Sequence, residues 1–268
     1  MTETLPTYEI YAIKYAHRDS TKNANMLMRD PHDGPMPLDY FVWVAISPER
    51  TVVIDTGFTE PTAQRLKREF LRCPADSLSL IGKNANDISD VIITHLHYDH
   101  VGNFHKFPSA MFYLQEAEMH YSTGRHMRHH SLNHAYNLDD ILGMVRLTYD
   151  GRVYMFNGNR ELAPGITMHP VGGHTPGMQY VRVHTQRGWV VLASDCSHFY
   201  ANMETGNPFI AVVNVPATVE AYDQLYEAAP SPAHIVPGHD PLVMERYPAP
   251  SKDLEGIVVR LDVPPVEG

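Results

Sequence analysis

The sequence predicts an α/β protein in which two packed β-sheets are covered by helices. Three observations carry this expectation. Strand-like runs dominate each half of the chain, and helical stretches are interleaved with them in each half. At 268 residues, 43% hydrophobic and 19% charged, the chain is long enough to close its core as a single α/β domain, 1–268.

The elements follow in order. Tyr8 to Tyr15 alternates apolar and polar side chains and reads as a first strand. His17 to Asp39 is polar and turn-rich, ending in Asp30-Pro31-His32-Asp33-Gly34-Pro35-Met36-Pro37; so long an irregular stretch is expected to be a lid-like loop, at about 17–39. Tyr40 to Ile46 and Thr51 to Ile54 are β-rich runs joined by Ser47-Pro48-Glu49-Arg50 as a hairpin turn. Pro61 to Arg72 has helical character, with Pro61 suited to a first turn. Val91-Ile92-Ile93 is short, wholly apolar and β-branched, as a strand buried on both faces would be. Ala110 to Leu114 reads as a strand, Gln115 to Tyr121 as the start of a helix, and about 116–147 as a helical insertion. Strands are expected again at Val153 to Phe156, Ile166 to His169, Met178 to His184 and Trp189 to Ala193. A helix at Ala217 to Ala228 and a last short strand at His234 to Val236 complete the pattern.

Composition excludes some functions. A net charge of −10 gives no counterion-release gain to a nucleic-acid or anionic-membrane partner. No apolar run approaches a membrane span. Met1 to Ser20 has neither the basic start nor the apolar core of a signal peptide, so a cytoplasmic protein is expected. Cys73 and Cys196 are too few for a disulfide framework and are expected to be reduced. The outlier is histidine, at 17 residues.

Four of the chemically informative residues fall in one run, His95-Leu96-His97-Tyr98-Asp99-His100. Zinc takes histidine nitrogens and aspartate oxygens, and paired metals need roughly six or seven such side chains converging. In an extended chain His95 and His97 point the same way and can share one metal. A turn at Tyr98-Asp99 then re-aims Asp99 and His100 toward a second, with Gly102 permitting the sharp geometry or close packing. Further candidates stand at strand ends: His174 in Gly172-Gly173-His174-Thr175-Pro176-Gly177, Asp195 after Val190-Val191-Leu192-Ala193-Ser194, and His239 in Pro237-Gly238-His239-Asp240.

Taken in order, the HxHxDH run, the GGHTPG histidine, the SD aspartate and the PGHD histidine resemble the metallo-β-lactamase superfamily, and Val53-Ile54-Asp55-Thr56-Gly57 extends the match. Within it the chain looks most similar to the N-acyl homoserine lactonase-like branch, including Asp30 to Tyr40. The resemblance implies a four-layer αβ/βα sandwich of two mixed β-sheets flanked by helices, with the site at one edge. It implies His95, His97 and His174 on one metal, Asp99, His100 and His239 on the other, and Asp195 bridging both. The implied cofactors are two Zn²⁺ ions, other divalent metals being compatible, and the implied reaction is opening of a lactone or related small ester by a metal-bridging hydroxide. That is the chemistry of quorum quenching. Asp99 or His198 would shuttle the proton.

The same residues admit plainer readings. Asp55 either caps a turn or orients a ligand histidine. The cluster His120, His126, His129, His130 and His134 reads as a solvated helix face rather than a third metal site. Cys196 reads as a packing residue. Met26, Met28, Met36, Tyr40 and Tyr98 are core, or line a substrate pocket; Tyr98, between candidate ligands, favours the pocket. One departure from the branch stands out. Its lactonases carry a substrate-binding tyrosine three residues after the bridging aspartate, where this chain has His198, with Tyr200 two further on. Either His198 donates the hydrogen bond instead or Tyr200 reaches in; otherwise the substrate differs. A small-molecule lactone or ester is the expected partner, without nucleic acid or membrane, and a homodimer is a candidate assembly. The alternatives are a glyoxalase II-like thioesterase, a β-lactamase-like or phosphodiester hydrolase, an iron-dependent redox enzyme, and a non-catalytic binding module.

Overall fold

The computed structural model describes residues 5–266. The parts of the leader and domain readings that rest on residues 1–4 and 267–268 lie outside them. The strands are β1 (Glu9–Arg18), β2 (Leu38–Ile46), β3 (Thr51–Ile54), β4 (Glu69–Phe70), β5 (Asp90–Ile92), β6 (Met111–Gln115), β7 (Val153–Phe156), β8 (Arg160–Ala163), β9 (Ile166–Pro170), β10 (Gln179–Thr185), β11 (Gly188–Ser194), β12 (Ile235–Pro237) and β13 (Val258–Arg260). The helices are α1 (Lys22–Asn25), α2 (Glu60–Leu66), α3 (Tyr98–Val101), α4 (Glu116–Ser122), α5 (His130–Asn133), α6 (Leu138–Tyr149), α7 (Tyr200–Thr205), α8 (Val215–Ala228) and α9 (Leu242–Arg246).

They build two mixed sheets. The first runs β13-β1-β2-β3-β5-β6-β7, with β4 also paired to β1; the second runs β12-β11-β10-β9-β8. Strand alternation divides the core. Ile10, Trp43 and Ile54 face the second sheet and meet Val181, Val183 and Leu192. Ile13, Val44, Val53 and Phe112 face outward and are covered by Ala63 of α2 and by Ile141 and Met144 of α6. Tyr222 and Leu225 of α8 close the outside of the second sheet. The result is helix, sheet, sheet, helix. Val91 lies in a strand parallel to both its neighbours and buried on both faces, which explains its uniformly apolar run.

Three expectations change. The helix expected over Pro61 to Arg72 ends at Leu66, because Lys67 adopts a left-handed conformation (φ 55°) and Glu69–Phe70 pairs with Ala16 and His17 of β1. The strand at Ile235–Pro237 is not the last, since Val258–Arg260 returns to pair with β1. The charged Arg160–Ala163 forms an edge strand that a search for apolar alternation passes over. The segment between β1 and β2 contains α1 and is tied down by its own bonds: Asp30 accepts from Lys22 Nζ at 2.8 Å, and Leu27 N–H donates to Pro208 O at 2.8 Å. Among the described residues no helix is long and apolar enough to cross a membrane.

Candidate metal centre

Five strands deliver the site at their C-terminal ends, where open α/β sheets expose groups to ligands. Asp55 follows β3, the His95–His100 run follows β5, His174 follows β9, Asp195 follows β11 and His239 follows β12. The backbone is forced at two of these ends. Asp55 (φ 63°) and Ser194 (φ 47°) hold left-handed conformations rare for residues with a side chain, and such strain persists where neighbours over-determine it. Here the neighbours interlock: Thr94 donates to both Asp55 carboxylate oxygens, from its N–H and its hydroxyl, each at 2.8 Å. Thr94 Oγ1 also lies 2.9 Å from Ser194 Oγ, joining the two sheets.

The donors converge as two separate sets, with a third grouping of Asp195, His198 and His239 that overlaps both. His95, His97, His174 and Asp195 offer ligand atoms all within 4.8 Å of one another, as do Asp99, His100 and His239. Asp195 faces both. Its Oδ2 lies 3.7 Å from His95 Nε2 and 3.2 Å from His174 Nε2, while its Oδ1 lies 3.4 Å from His100 Nε2 and 2.9 Å from His239 Nε2. The far nitrogens are held in place. His100 Nδ1 donates to Asp55 at 2.8 Å, His174 Nδ1 to Ala211 O at 2.6 Å, and His239 Nδ1 to Asp39 O at 3.0 Å. That leaves the opposite ring nitrogen as the free donor in each.

His95 Nε2, His100 Nε2 and Asp195 Oδ1 are buried without a hydrogen-bond partner, which an apolar or self-satisfied cluster would not tolerate. Burial, with neighbouring histidines, holds the His95 and His97 imidazoles well below their usual pKa, so they present lone pairs. Burial alone would raise the Asp195 carboxyl, yet the facing His198, His239 and His100 carry it well below the usual range. His100 and His239 run the other way: against their burial, the Asp195 carboxylate with Asp55 and Asp99 beside His100, and Asp195 with Asp99 beside His239, hold these imidazoles above their usual pKa, so a divalent ion would take the place of a proton there. Buried histidines around an ionised carboxylate are a donor set for divalent ions, and the residues fit two.

Close packing fixes the arrangement. A Cβ on Gly238 would stand 2.8 Å from Asp195 Oδ1, and one on Gly102 would stand 2.9 Å from Gly57 O, so both positions require glycine for approach. Glu118 of α4 is fully buried and ties two ligand segments together: it accepts from Leu96 N–H at 3.1 Å, Thr175 Oγ1 at 2.7 Å and Gly177 N–H at 3.0 Å. Tyr136, from the insertion, donates to Glu118 at 3.3 Å and sets its ring edge-on to His97, 4.7 Å between centroids. Both positioning residues escape sequence reading, because a glutamate and a tyrosine in a mixed helical stretch carry no spacing signal.

The centre opens into a cleft of about 550 Å³. Tyr40 and Tyr98 line it; Met26, Met28 and Met36 do not. Met26 is buried and accepts a hydrogen bond on sulfur from Asn202, Met28 is 59% exposed, and Met36 packs at the margin of the outer core. His198 lines the cleft, 2.9 Å from Asp195 Oδ2 and stacked on Phe209 at 3.7 Å. Phe209 is in turn bridged to Met26 of the β1–β2 loop. Tyr200 lies in the buried core that also holds Tyr222 and Tyr247, beneath Arg246, and does not reach the cleft. Cys196 is buried in that same core. His130 and His134, expected on a solvated face, are exposed but also line the cleft, as do Arg18, Arg65 and Arg68.

Two sheets packed between helical layers, with a histidine–aspartate centre at the strand ends, define an αβ/βα class of metal-binding proteins. The chain belongs to the metallo-beta-lactamase superfamily, whose family model matches residues 36–239. It is 31% identical over 133 residues to an N-acyl homoserine lactonase of a Bacillus species, a match covering 49% of this chain and 48% of the relative. It is 29% identical over 130 residues to the N-acyl homoserine lactonase AiiB of Agrobacterium fabrum, covering 45% of each. The chain thus spans about half the length of the curated relatives it matches. A solved quorum-quenching N-acyl homoserine lactone lactonase superposes with a TM-score of 0.73 at 22% identity, covering 90% of this chain and 94% of that one, which establishes the fold.

Proposed function

We propose that the chain is a dinuclear metal hydrolase, with zinc as the native metal, that opens a lactone or a related small ester. One observation carries the reading: Asp195 presents one carboxylate oxygen to each of two buried donor sets at the floor of an open cleft. His95, His97 and His174 would hold one ion, Asp99, His100 and His239 the other, with Asp195 between them. Bound there, two divalent ions supply an activated water and polarise a carbonyl, so no serine or cysteine nucleophile is needed. The chain's own residues do the remainder. Asp55, Ala211 O and Asp39 O orient the three histidines named above. Tyr98 and Tyr40 wall the cleft beside Asp99 and exclude water from one side. His198, stacked on Phe209, directs its Nε2–H at Asp195 Oδ2; with that oxygen taken up by an ion, the same N–H would be released to donate to the oxygen leaving the opened ring, and Asp99 lines the cleft as a proton acceptor.

The matched relatives support a lactone over other esters, since those proteins bear the name N-acyl homoserine lactonase. A solved neighbour is described with N-hexanoyl-L-homoserine product at its catalytic metal centre, and another is described as a dizinc lactonase. The test is a panel of lactones, esters, thioesters, β-lactams and phosphodiesters offered to zinc-loaded protein, read by acid release. Turnover of lactones above the other classes is expected. Turnover of thioesters or β-lactams alone would replace the reading.

A further inference from the structure

On the reading that the centre opens lactones, we propose that its substrate carries an oxyanion, a carboxylate or phosphate remote from the scissile bond, held by Arg18, Arg65 and Arg68. The three line the same cleft as the metal-type donors. Apart from Asp99 and Asp195, which belong to the centre, no carboxylate lines that cleft among the described residues. None of the three arginines lies within ion-pair distance of a carboxylate there, whereas Arg50 and Arg260 elsewhere are paired. Arg18 and Arg68 also border a neighbouring recess that holds Asp19 and Glu69, so it is on the cleft side that a chain of net charge −10 reverses its sign. Like charges gathered on one wall disfavour the fold until an anion offsets them.

The backbone assembles this wall from separate pieces. Arg18 ends β1 and Arg65 stands in the last turn of α2. The left-handed Lys67 then turns the chain so that Arg68 N–H donates to Ala63 O at 2.9 Å, and the pairing of Glu69 with His17 sets Arg68 beside the end of β1. Arg68 itself is half-buried and braced. Its Nη1 donates to Leu66 O at 2.8 Å and its Nε to Tyr98 Oη at 3.4 Å, which leaves the Nη2 group without a protein acceptor among the described residues. A guanidinium fixed on one side and open on the other suits bidentate binding of a carboxylate or phosphate. Leu38, Leu66 and Phe209 on the same walls suit a short methylene spacer. The brace through Tyr98, next in sequence to Asp99, joins this wall to the reacting end.

Zinc-loaded full-length protein would be tested with N-hexanoyl-homoserine lactone and two counterparts of equal ring and similar length, one ending in carboxylate (N-adipoyl) and one in phosphate. The expected result is a kcat/KM at least about tenfold higher for an anionic substrate, expressed in KM and shrinking as salt rises. Arg68→Gln should lower the anionic-to-neutral ratio about tenfold, and Arg65→Gln, at an exposed position, should lower it less. Whichever anion gains more names the group. Equal or better turnover of the neutral lactone, or no change of ratio in either variant, would overturn the proposal. Calorimetric binding of the ring-opened products N-adipoyl- and N-hexanoyl-homoserine keeps the two readings apart. A tighter Kd for the adipoyl product that is lost in Arg68→Gln would sustain the anion site even in a protein that turned over no lactone. Equal Kd values would reject it even in an active lactonase.

Discussion

At the scale of single residues, the centre depends on atoms one layer behind the donors. Among the candidate metal ligands of the described residues Asp55 hydrogen-bonds His100 alone, yet its carboxylate receives three bonds that fix Thr94 and His100 together. Asp55→Ala is expected to lower kcat/KM on a lactone by about 10–100-fold with weakened metal retention, as removal of such partners does, measured by steady-state kinetics and metal analysis. His198 and Tyr200 separate cleanly. His198 stands against Asp195 in the cleft, whereas the Tyr200 ring lies under Arg246 in the core. His198→Ala should therefore lower kcat severely, and Tyr200→Phe should leave it within about twofold in the same assay. The donors were legible in sequence because short motifs at strand ends carry them. Glu118 and Tyr136 were not, since their work depends on contacts with segments 18 to 59 residues away rather than on spacing.

Among the elements, the insertion after β6 does more than decorate the outer face. Its first helix carries Glu118 to the ligand loops, and α6 covers the first sheet with Ile141 and Met144. At the start of α6, Asp140 is buried with one carboxylate oxygen unpartnered, and burial pushes its pKa up to about 6. The folded protein thus holds a proton that the unfolded chain gives up at lower pH. Stability is lost as pH rises from about 4 through 6, and the deficit is complete above that range. Asp140→Asn is expected to stabilise at pH 8 by roughly 2 kcal/mol and to change little at pH 4, measured by urea denaturation at both. Strong alternation or uniform apolarity made β1, β2, β5 and β11 readable. The edge strands β4, β8 and β13 were not, because strands of two to four residues with charged side chains have too little period to register.

For the whole molecule, the site exists only because two sheets meet. His95 to His100 come from the first, and His174, Asp195 and His239 from the second, with Thr94 and Ser194 joined at the seam. The layered class was legible from the distribution of strands and helices, but the cleft was not. Its arginines and its two histidines from the insertion are polar surface residues in sequence, and only chain reversal at Lys67 and the pairing of β4 with β1 give the arginines a common wall. Because both sheets contribute donors, metal should also hold them together, and removing it with chelator is expected to lower the Tm together with activity. The most direct test of the two-ion centre is to add zinc back to the demetallated protein and follow lactone hydrolysis. Two donor sets predict activity that rises to a plateau at two equivalents per chain. A plateau at one equivalent would contradict it.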